Sequence, residues 1–385
     1  MDLRWTPSQE RFRAEAADWL GTNVARWRDS YGDALESGDT RTGFAQHLEW
    51  ERMLHEARWS AVSWPVDYGG RDADLWEWLI FEEEYYRAGC PQRVTQNGIF
   101  LLAPTLFEFG TTEQRDHVLP RMAAADDLWC QGWSEPGAGS DLAALRSRAR
   151  RVDGGWVFDG QKTWTTRGAF CTHLFGLFRT DPDSERHRGL TYFMVPLDSP
   201  GITVRGFWRL DGDEGFAEVF FDDAFVADDA LPGGLVLGDV GAGWSVAMAT
   251  TGSERGLTLR SPGRFLATAE RLIDLYRERP VPDLCARVVD AWAHAEAYQL
   301  FTLRTVTDMV GGRAVPAESS INKVWWSELD VDLHETALAL LGPDAELSGE
   351  WAKGHMFSLS GPIYAGTNEI QRNLTAERLL GLPRR

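Results

Sequence analysis

Lysine is almost absent from this chain, for among 39 basic residues only Lys162, Lys323 and Lys353 carry an amine. None of them lies in an apolar stretch that would depress its pKa, so chemistry that needs a Schiff-base lysine is set aside. Basic residues of any kind are outnumbered, 58 carboxylates against 39 cations, and the net charge of −19 repels phosphate backbones and anionic lipid. No nucleic-acid partner and no membrane surface is expected. Cysteine is sparse: Cys90, Cys130, Cys171 and Cys285 are far apart and form no CxxC pair, which argues against a disulfide framework and a zinc knuckle. The 8 histidines include no HExxH, so no metal site is expected. No apolar run approaches ~18 residues, and the opening MDLRWTPSQERF lacks the apolar core of a signal peptide. These absences together predict a soluble, cytoplasmic protein in a reducing compartment.

What is present is ordinary globular composition, 43% hydrophobic and 25% charged, over 385 residues, enough for two or three packed domains. Residues 1–126 read as helical. Thr6-Pro7-Ser8-Gln9 forms a capping box, and Phe12, Ala16, Trp19, Leu20 and Val24 then recur at helical spacing. Helices are also expected over Phe44 to Trp59, Leu75 to Ala88 and Thr112 to Ala124, with WPVDYGG (Trp64 to Gly70) as the turn after the first of these. Residues 127–235 change period: HLFGLFR, LTYFMVPL and EVFFDDAFV are short aromatic and β-branched strands, and the Asp159-Gly160 pair inside WVFDGQKTWTT signals a hairpin. Over 236–385 the helical period returns in long runs, Gly243 to Arg277, Asp283 to Val310, Glu318 to Leu341 and Thr367 to Leu380, enough for an antiparallel four-helix bundle. The predicted architecture is mostly α with a β middle domain.

Four segments could carry chemistry. SEPGAGSDL (Ser134 to Leu142) lets backbone approach a flat or anionic ligand at its glycines and offers the hydroxyls of Ser134 and Ser140. KTWTTRG (Lys162 to Gly168) sets a tryptophan between hydroxyls at a strand end, able to stack on a heteroaromatic ring and bond its edge. GTNEIQRN places Gly366 and Thr367 at the start of a helix whose unpaired N–H groups favour an anion or oxyanion. SERG (Ser253 to Gly256) sets a carboxylate and a guanidinium early in the first long C-terminal helix. Each has a plain alternative: a turn, a capped helix, a solvated charge pair.

In this order and at these separations the segments resemble the acyl-CoA dehydrogenase family over essentially the whole chain. SEPGAGSD, GQKTWTT and GTNEIQRN carry the resemblance jointly, with WPVDYGG similar to a loop of the family's N-terminal domain. The resemblance implies an N-terminal helical domain, a β-barrel-like middle domain and a C-terminal four-helix bundle, with FAD held between them. It implies that Gln131, Trp133, Ser134, Trp164, Thr165 and Thr166 line the isoalloxazine, that Gly366, Thr367 and Glu369 contribute to the cofactor site, and that Ser140, Arg255 and Ala365 face the acyl-CoA. In the family a carboxylate removes the α-proton of an acyl thioester while hydride leaves the β-carbon, and an electron-transfer flavoprotein accepts the electrons.

Two positions depart from the family pattern. Many members carry the base just before GT, where this chain has Ala365, whereas a minority place it before an arginine in the C-terminal domain, which Glu254 and Arg255 match. Neither the RxxF segment nor the QxxGG turn that binds the FAD dinucleotide of a neighbouring subunit is present; RERPVPDLCARV (Arg277 to Val288) and LLGPDAEL (Leu340 to Leu347) stand instead. That shortened form resembles subunits of heteromeric enzymes acting on sterol side chains or other bulky acyl-CoAs, so an α₂β₂ assembly with a homologous chain is expected. Trp325 and Trp326 beside Leu329 and Val331 are expected to supply interface surface beyond what one helix layer buries. A catalytically inert subunit, or a flavin oxidase or oxygenase on the same scaffold, are the competing readings.

Overall fold

The computed structural model describes residues 4–255, 261–313, 318–347 and 349–383, without the side chains of 253–255 and 318. In chain order the helices are α1 (Pro7–Tyr31), α2 (Arg41–Glu56), α3 (Leu75–Arg87), α4 (Ala103–Phe109), α5 (Thr112–Ala123), α6 (Gly243–Arg255), α7 (Pro262–Glu278), α8 (Cys285–Val310), α9 (Glu318–Leu341), α10 (Glu350–Ser358) and α11 (Asn368–Arg378). The strands are β1 (Trp129–Gly132), β2 (Arg148–Val152), β3 (Gly155–Thr166), β4 (His173–Arg179), β5 (Leu190–Pro196), β6 (Ile202–Phe207) and β7 (Phe216–Ala227). The chain divides into two compact units, one of residues 1–30, 73–91 and 255–385 and the other of 31–72 and 92–254.

The first unit is helical. α1 begins on the predicted capping box, with the Gln9 N–H donating to Thr6 Oγ1 at 3.3 Å and the Thr6 N–H to Gln9 Oε1 at 2.9 Å. Its core joins Phe265, Ala269 and Leu272 of α7, Val288, Ala291, Ala295 and Tyr298 of α8, and Trp326, Leu329, Leu333, Ala337 and Leu340 of α9. Spacings of three and four residues put each set on one helix face, and each large side chain so buried contributes about 1.5–3 kcal/mol. Gly263 permits the crossing of α7 on α3, where a Cβ would stand 2.8 Å from Glu83 Cα. Two expectations are corrected here. The run from Gly243 to Arg277 is two helices, since Ser261 caps a new N-terminus and Pro262 at its first turn cannot donate into a preceding helix. Trp326 and Leu329 are absorbed by the chain's own core and Trp325 and Val331 are half-buried; exposed apolar surface lies instead on α8, at Val289, Trp292 and Leu300.

The second unit contains the sheet, ordered β1-β4-β2-β3-β7-β6 with β5 paired to β4. β5 is buried along its full length, and Phe158, Phe178, Phe193 and Phe221 meet edge to face inside, the arrangement ring quadrupoles favour. Asp159-Gly160 does not turn the chain. β3 runs through it, pairing with β7 across a bulge in which Asp222 and Asp223 oppose Asp159, and the hairpin between β2 and β3 is made at Asp153-Gly154. Gly154, at φ 76°, takes the left-handed turn position, while Gly160 is needed because a Cβ would stand 2.3 Å from Ser147 Oγ. WPVDYGG does form a turn: a 3-10 segment at Val66–Tyr68 closes on Gly69 at φ 92°.

Candidate functional site

β1 delivers Gln131 and then Trp133 and Ser134 into the SEPGAGSD loop. Glu135 and Ala138 exchange backbone hydrogen bonds at 3.0 Å, closing a small loop, and beyond it Ser140 is exposed. The Glu135 side chain is buried and accepts from the Arg146 N–H at 2.6 Å, the Ser147 N–H at 2.9 Å and Lys162 Nζ at 2.8 Å. Burial raises its pKa, but the Lys162 charge and these hydrogen bonds outweigh it and hold the carboxyl below its ordinary value. Lys162 is wholly buried, which pulls its own pKa down against the pull of Glu135, and it also donates to Leu177 O at 2.7 Å. The expectation that no lysine is held in apolar surroundings is thereby corrected. The amine is nonetheless engaged as an ion-pair cation, so Schiff-base chemistry gains nothing.

Two residues on, β3 bulges. Lys162 pairs with Val219 and Thr165 with Ala217, leaving Thr163 and Trp164 opposite the single Glu218. Trp164 adopts φ 57°, a left-handed conformation that is uncommon for a bulky residue and costs roughly 1–3 kcal/mol. The bulge turns its indole outward, 61% exposed, edge-on to Phe207 at 5.3 Å and Phe216 at 5.5 Å. Thr165 points inward and is buried, Thr166 is half-buried, and the Thr163 N–H donates to Ser134 O at 2.9 Å, tying strand to loop. Arg167 follows, buried and again left-handed at φ 54°, its Nε donating to Asp39 Oδ1 at 2.5 Å. Arg209 holds the other Asp39 oxygen at 2.6 Å. Burial raises the Asp39 pKa, and the two guanidinium charges more than reverse this, leaving it lowered.

Whether a flavin suits these residues is tested by their unmet hydrogen bonds. Buried polar atoms are almost always paired, yet Gln131 Nε2, Trp133 Nε1 and Thr165 Oγ1 are buried with no partner in the chain. Two N–H donors and a hydroxyl, on β1, just after it, and on β3 next to Trp164 in sequence, match a heteroaromatic ring with carbonyl and ring-nitrogen acceptors on its edge. The residues fit the group.

The remaining candidates belong to α6 and to the turn that opens α11. Ser253, Glu254 and Arg255 form the last turn of α6 instead of opening a long helix; their side chains, and Gly256, are outside the described residues. α6 is anchored within its unit by Thr250, whose hydroxyl meets Thr105 Oγ1 at 2.8 Å and Tyr192 Oη at 3.4 Å. In the helical unit, Ala365 (φ 54°) and Gly366 (φ 78°) turn the chain into α11, and Thr367 caps it by accepting from the Ile370 N–H at 3.4 Å. Glu369 is exposed at the first turn, and hydrogen bonds from its own N–H and from Thr367 lower its pKa. Buried Lys323 donates to Asn368 Oδ1 at 2.8 Å beneath this turn. Sequence reasoning missed Glu135, Lys162, Asp39 and Arg167 as a set. The signal available for three of them, Glu135, Lys162 and Arg167, was their place inside the same two motifs. Among the described residues no group of His, Cys, Asp or Glu could hold a metal, and no helix is long and apolar enough to cross a membrane.

Comparison with known proteins covers the chain from end to end. Models of the acyl-CoA dehydrogenase N-terminal, middle and C-terminal domains match residues 6–126, 130–224 and 241–380. The acyl-CoA dehydrogenase IpdE1 of Mycobacterium tuberculosis is 38% identical over 387 residues, spanning 97% of this chain and 98% of that protein. Among solved structures, the Tcur3481-Tcur3483 steroid ACAD superposes with a TM-score of 0.86 at 25% identity, with 100% of both chains covered. The ChsE4-ChsE5 complex from Mycobacterium tuberculosis gives 0.84 at 28% identity, again with 100% of both chains covered.

Proposed function

Since this chain belongs to the acyl-CoA dehydrogenase family, we propose that it is an FAD-dependent acyl-CoA α,β-dehydrogenase that converts a bulky, sterol-derived acyl-CoA to the trans-2-enoyl-CoA, passes electrons to an electron-transfer flavoprotein, and works in the cytoplasm. The observation that carries the cofactor assignment is the set of three buried, unpartnered polar atoms on Gln131, Trp133 and Thr165, in the same β1 and β3 segments that supply Ser134 and the exposed Trp164. Likeness to a steroid ACAD supports the substrate class.

Bound FAD supplies an acceptor for the hydride that leaves the substrate β-carbon. The chain's own residues do the rest. Trp164 would stack on the flavin ring system, with Gln131, Trp133, Ser134, Thr165 and Thr166 as the residues that would hold its edge. Gly366, Thr367 and Glu369 are assigned to cofactor binding, Ser140 and Arg255 to the CoA portion, and Ala365 to the acyl-CoA. Glu254 takes the α-proton. An apolar acyl chain beside that carboxylate excludes water and raises its pKa, making it a competent base when substrate is in place, provided the thioester oxygen is met by N–H donors as it becomes enolate-like.

A homologous partner completes the dinucleotide end of the site in an α₂β₂ assembly. The segments standing where the family binds the neighbouring dinucleotide are poor hosts for a diphosphate. Arg277 is bound to Asp274 at 2.9 Å and Arg279 to Asp344 at 2.5 Å, and the Gly342–Glu346 turn presents Asp344 and Glu346. A second reading, a catalytically inert subunit, is favoured by Ala365 at the family's usual base position. Anaerobic single turnover with a panel of acyl-CoAs, on the chain alone and co-purified with a homologous partner, tests these points together. Flavin bleaching with a bulky acyl-CoA is expected; no bleaching by any panel member supports inertness, and rapid reoxidation in air would make the protein an oxidase. One FAD per subunit with full turnover in a homo-oligomer would overturn the partner assignment.

A further inference from the structure

We propose that two buried ion pairs, Glu135–Lys162 and Asp39–Arg167, are positioning pairs that bracket the bulge at Trp164 and fix the attitude of its indole. The inference rests on the flavin reading above and concerns how the tryptophan is presented to the ring. Left-handed backbone at non-glycine residues persists only where the surroundings over-determine it, and here Trp164 at φ 57° and Arg167 at φ 54° stand three residues apart. The indole is weakly held by its own contacts, since the residue is 61% exposed and its ring meets Phe207 and Phe216 edge-on. Constraint therefore comes from the chain on either side.

Upstream, Lys162 is anchored to Glu135 at 2.8 Å and to Leu177 O on β4 at 2.7 Å, while Glu135 is itself held by the Arg146 and Ser147 N–H groups. Between the two anchors, the Thr163 N–H reaches back to Ser134 O. Downstream, Arg167 gives its Nε to Asp39, just before α2, and its backbone N–H to Gly215 O at 2.9 Å, and Arg209 completes the pairing of Asp39. Each clamp joins β3 to a different element, so a shift at either end would rotate the bulge. Buried ion pairs are weak contributors to net stability compared with apolar replacements, but they impose direction on the groups they join. Direction is what a stacking tryptophan requires.

A double-mutant cycle separates this role from general anchoring of the fold. On purified holoenzyme, with its partner chain where the complex needs one, the Glu135→Gln/Lys162→Met variant replaces the pair by neutral groups of similar volume. It is combined with Trp164→Ala, and the readouts are FAD Kd by flavin fluorescence, visible circular dichroism of bound flavin, and Tm. If the pair acts through Trp164, the neutral variant melts with the wild type, weakens FAD about tenfold, and shows altered visible dichroism, whereas adding it to Trp164→Ala weakens FAD no further. Penalties that add in full, or an unchanged Kd and visible spectrum in the neutral variant, overturn the proposal. Arg167→Gln leaves Asp39 with Arg209 and reads the same quantities from the other side, deciding the matter should the first variant not fold. A wild type that binds no FAD, alone or with a partner, overturns the flavin reading and this proposal with it.

Discussion

In the bundle, α7, α8 and α9 meet through Leu272, Ala291, Ala295, Leu333 and Ala337, side chains whose partners are interchangeable so long as volume is kept. Around Trp164 the buried groups are Glu135, Lys162, Asp39 and Arg167, each held by directional bonds to specific partners. Both regions are interior, and they spend burial differently. Apolar contact is non-directional and sums to stability, while paired charge contributes little net stability and fixes geometry. The difference teaches where disturbance should be felt: changes in the bundle should move the melting temperature and leave the flavin signature alone, and neutral replacement of a whole ion pair beside the bulge should do the reverse.

The largest effect belongs to neither region. Glu254→Gln keeps volume and loses only the base, so flavin reduction by acyl-CoA should slow by roughly 10²–10⁴ with FAD affinity and Tm unchanged. Stopped-flow bleaching at the wild-type rate would remove Glu254 from the mechanism. Next comes the bundle: Leu333→Ala, at a fully buried site, should cost about 2–5 kcal/mol in denaturant unfolding while bound-flavin absorbance stays as it was. A flavin spectrum that changed along with stability would break the contrast between the regions. Trp164→Ala should weaken FAD by about tenfold and shift its visible absorbance, with little change in Tm because the indole is mostly exposed; an unchanged spectrum and occupancy would leave Trp164 without a cofactor role. The smallest effect is on acid stability. The Asp39 pKa is lowered in the folded protein, so its contribution is complete above the unfolded value of ~3.9 and is lost as pH falls through the lower folded value. The stability gap between wild type and Asp39→Asn should accordingly be widest near neutrality and close at strongly acidic pH, as followed by melting curves across that range.

Much of the fold could be read in order along the chain because its signals are local. Thr6-Pro7-Ser8-Gln9, WPVDYGG and Thr367 act within a turn or two, and their caps and left-handed glycine appear where expected. The three helical stretches closing the chain at Val310, Leu341 and Arg378 end within two residues of their expected positions. The misreadings share one cause, which is that a distant segment decides. Asp159-Gly160 has a turn's composition, but β7 lies alongside β3 and turns the pair into a bulge. Lys162 looks like a surface cation until Glu135, 27 positions earlier, is folded against it, and Lys323 until Asn368, 45 positions later, reaches it. The π-helical segment Asn97–Leu102 and α10 left no periodic signature strong enough to be expected. At the site, motif residues were legible as types, but which of them lack partners and which are clamped was not.

The near-absence of lysine acquires a practical meaning from where the three are placed. Lys162 and Lys323 are shut away from solvent, and Lys353 on α10 is half-buried. Acylating reagents that modify lysine amines in water can therefore reach Lys353 on the native molecule, while the other two are shielded until the sheet or the contact of α9 with the start of α11 opens. Those amines thus form a pair of clocks built into the covalent structure. Modification at Lys162 would time the opening of the sheet, modification at Lys323 the loosening of the helical unit, and peptide mass mapping would tell one from the other without any label being engineered.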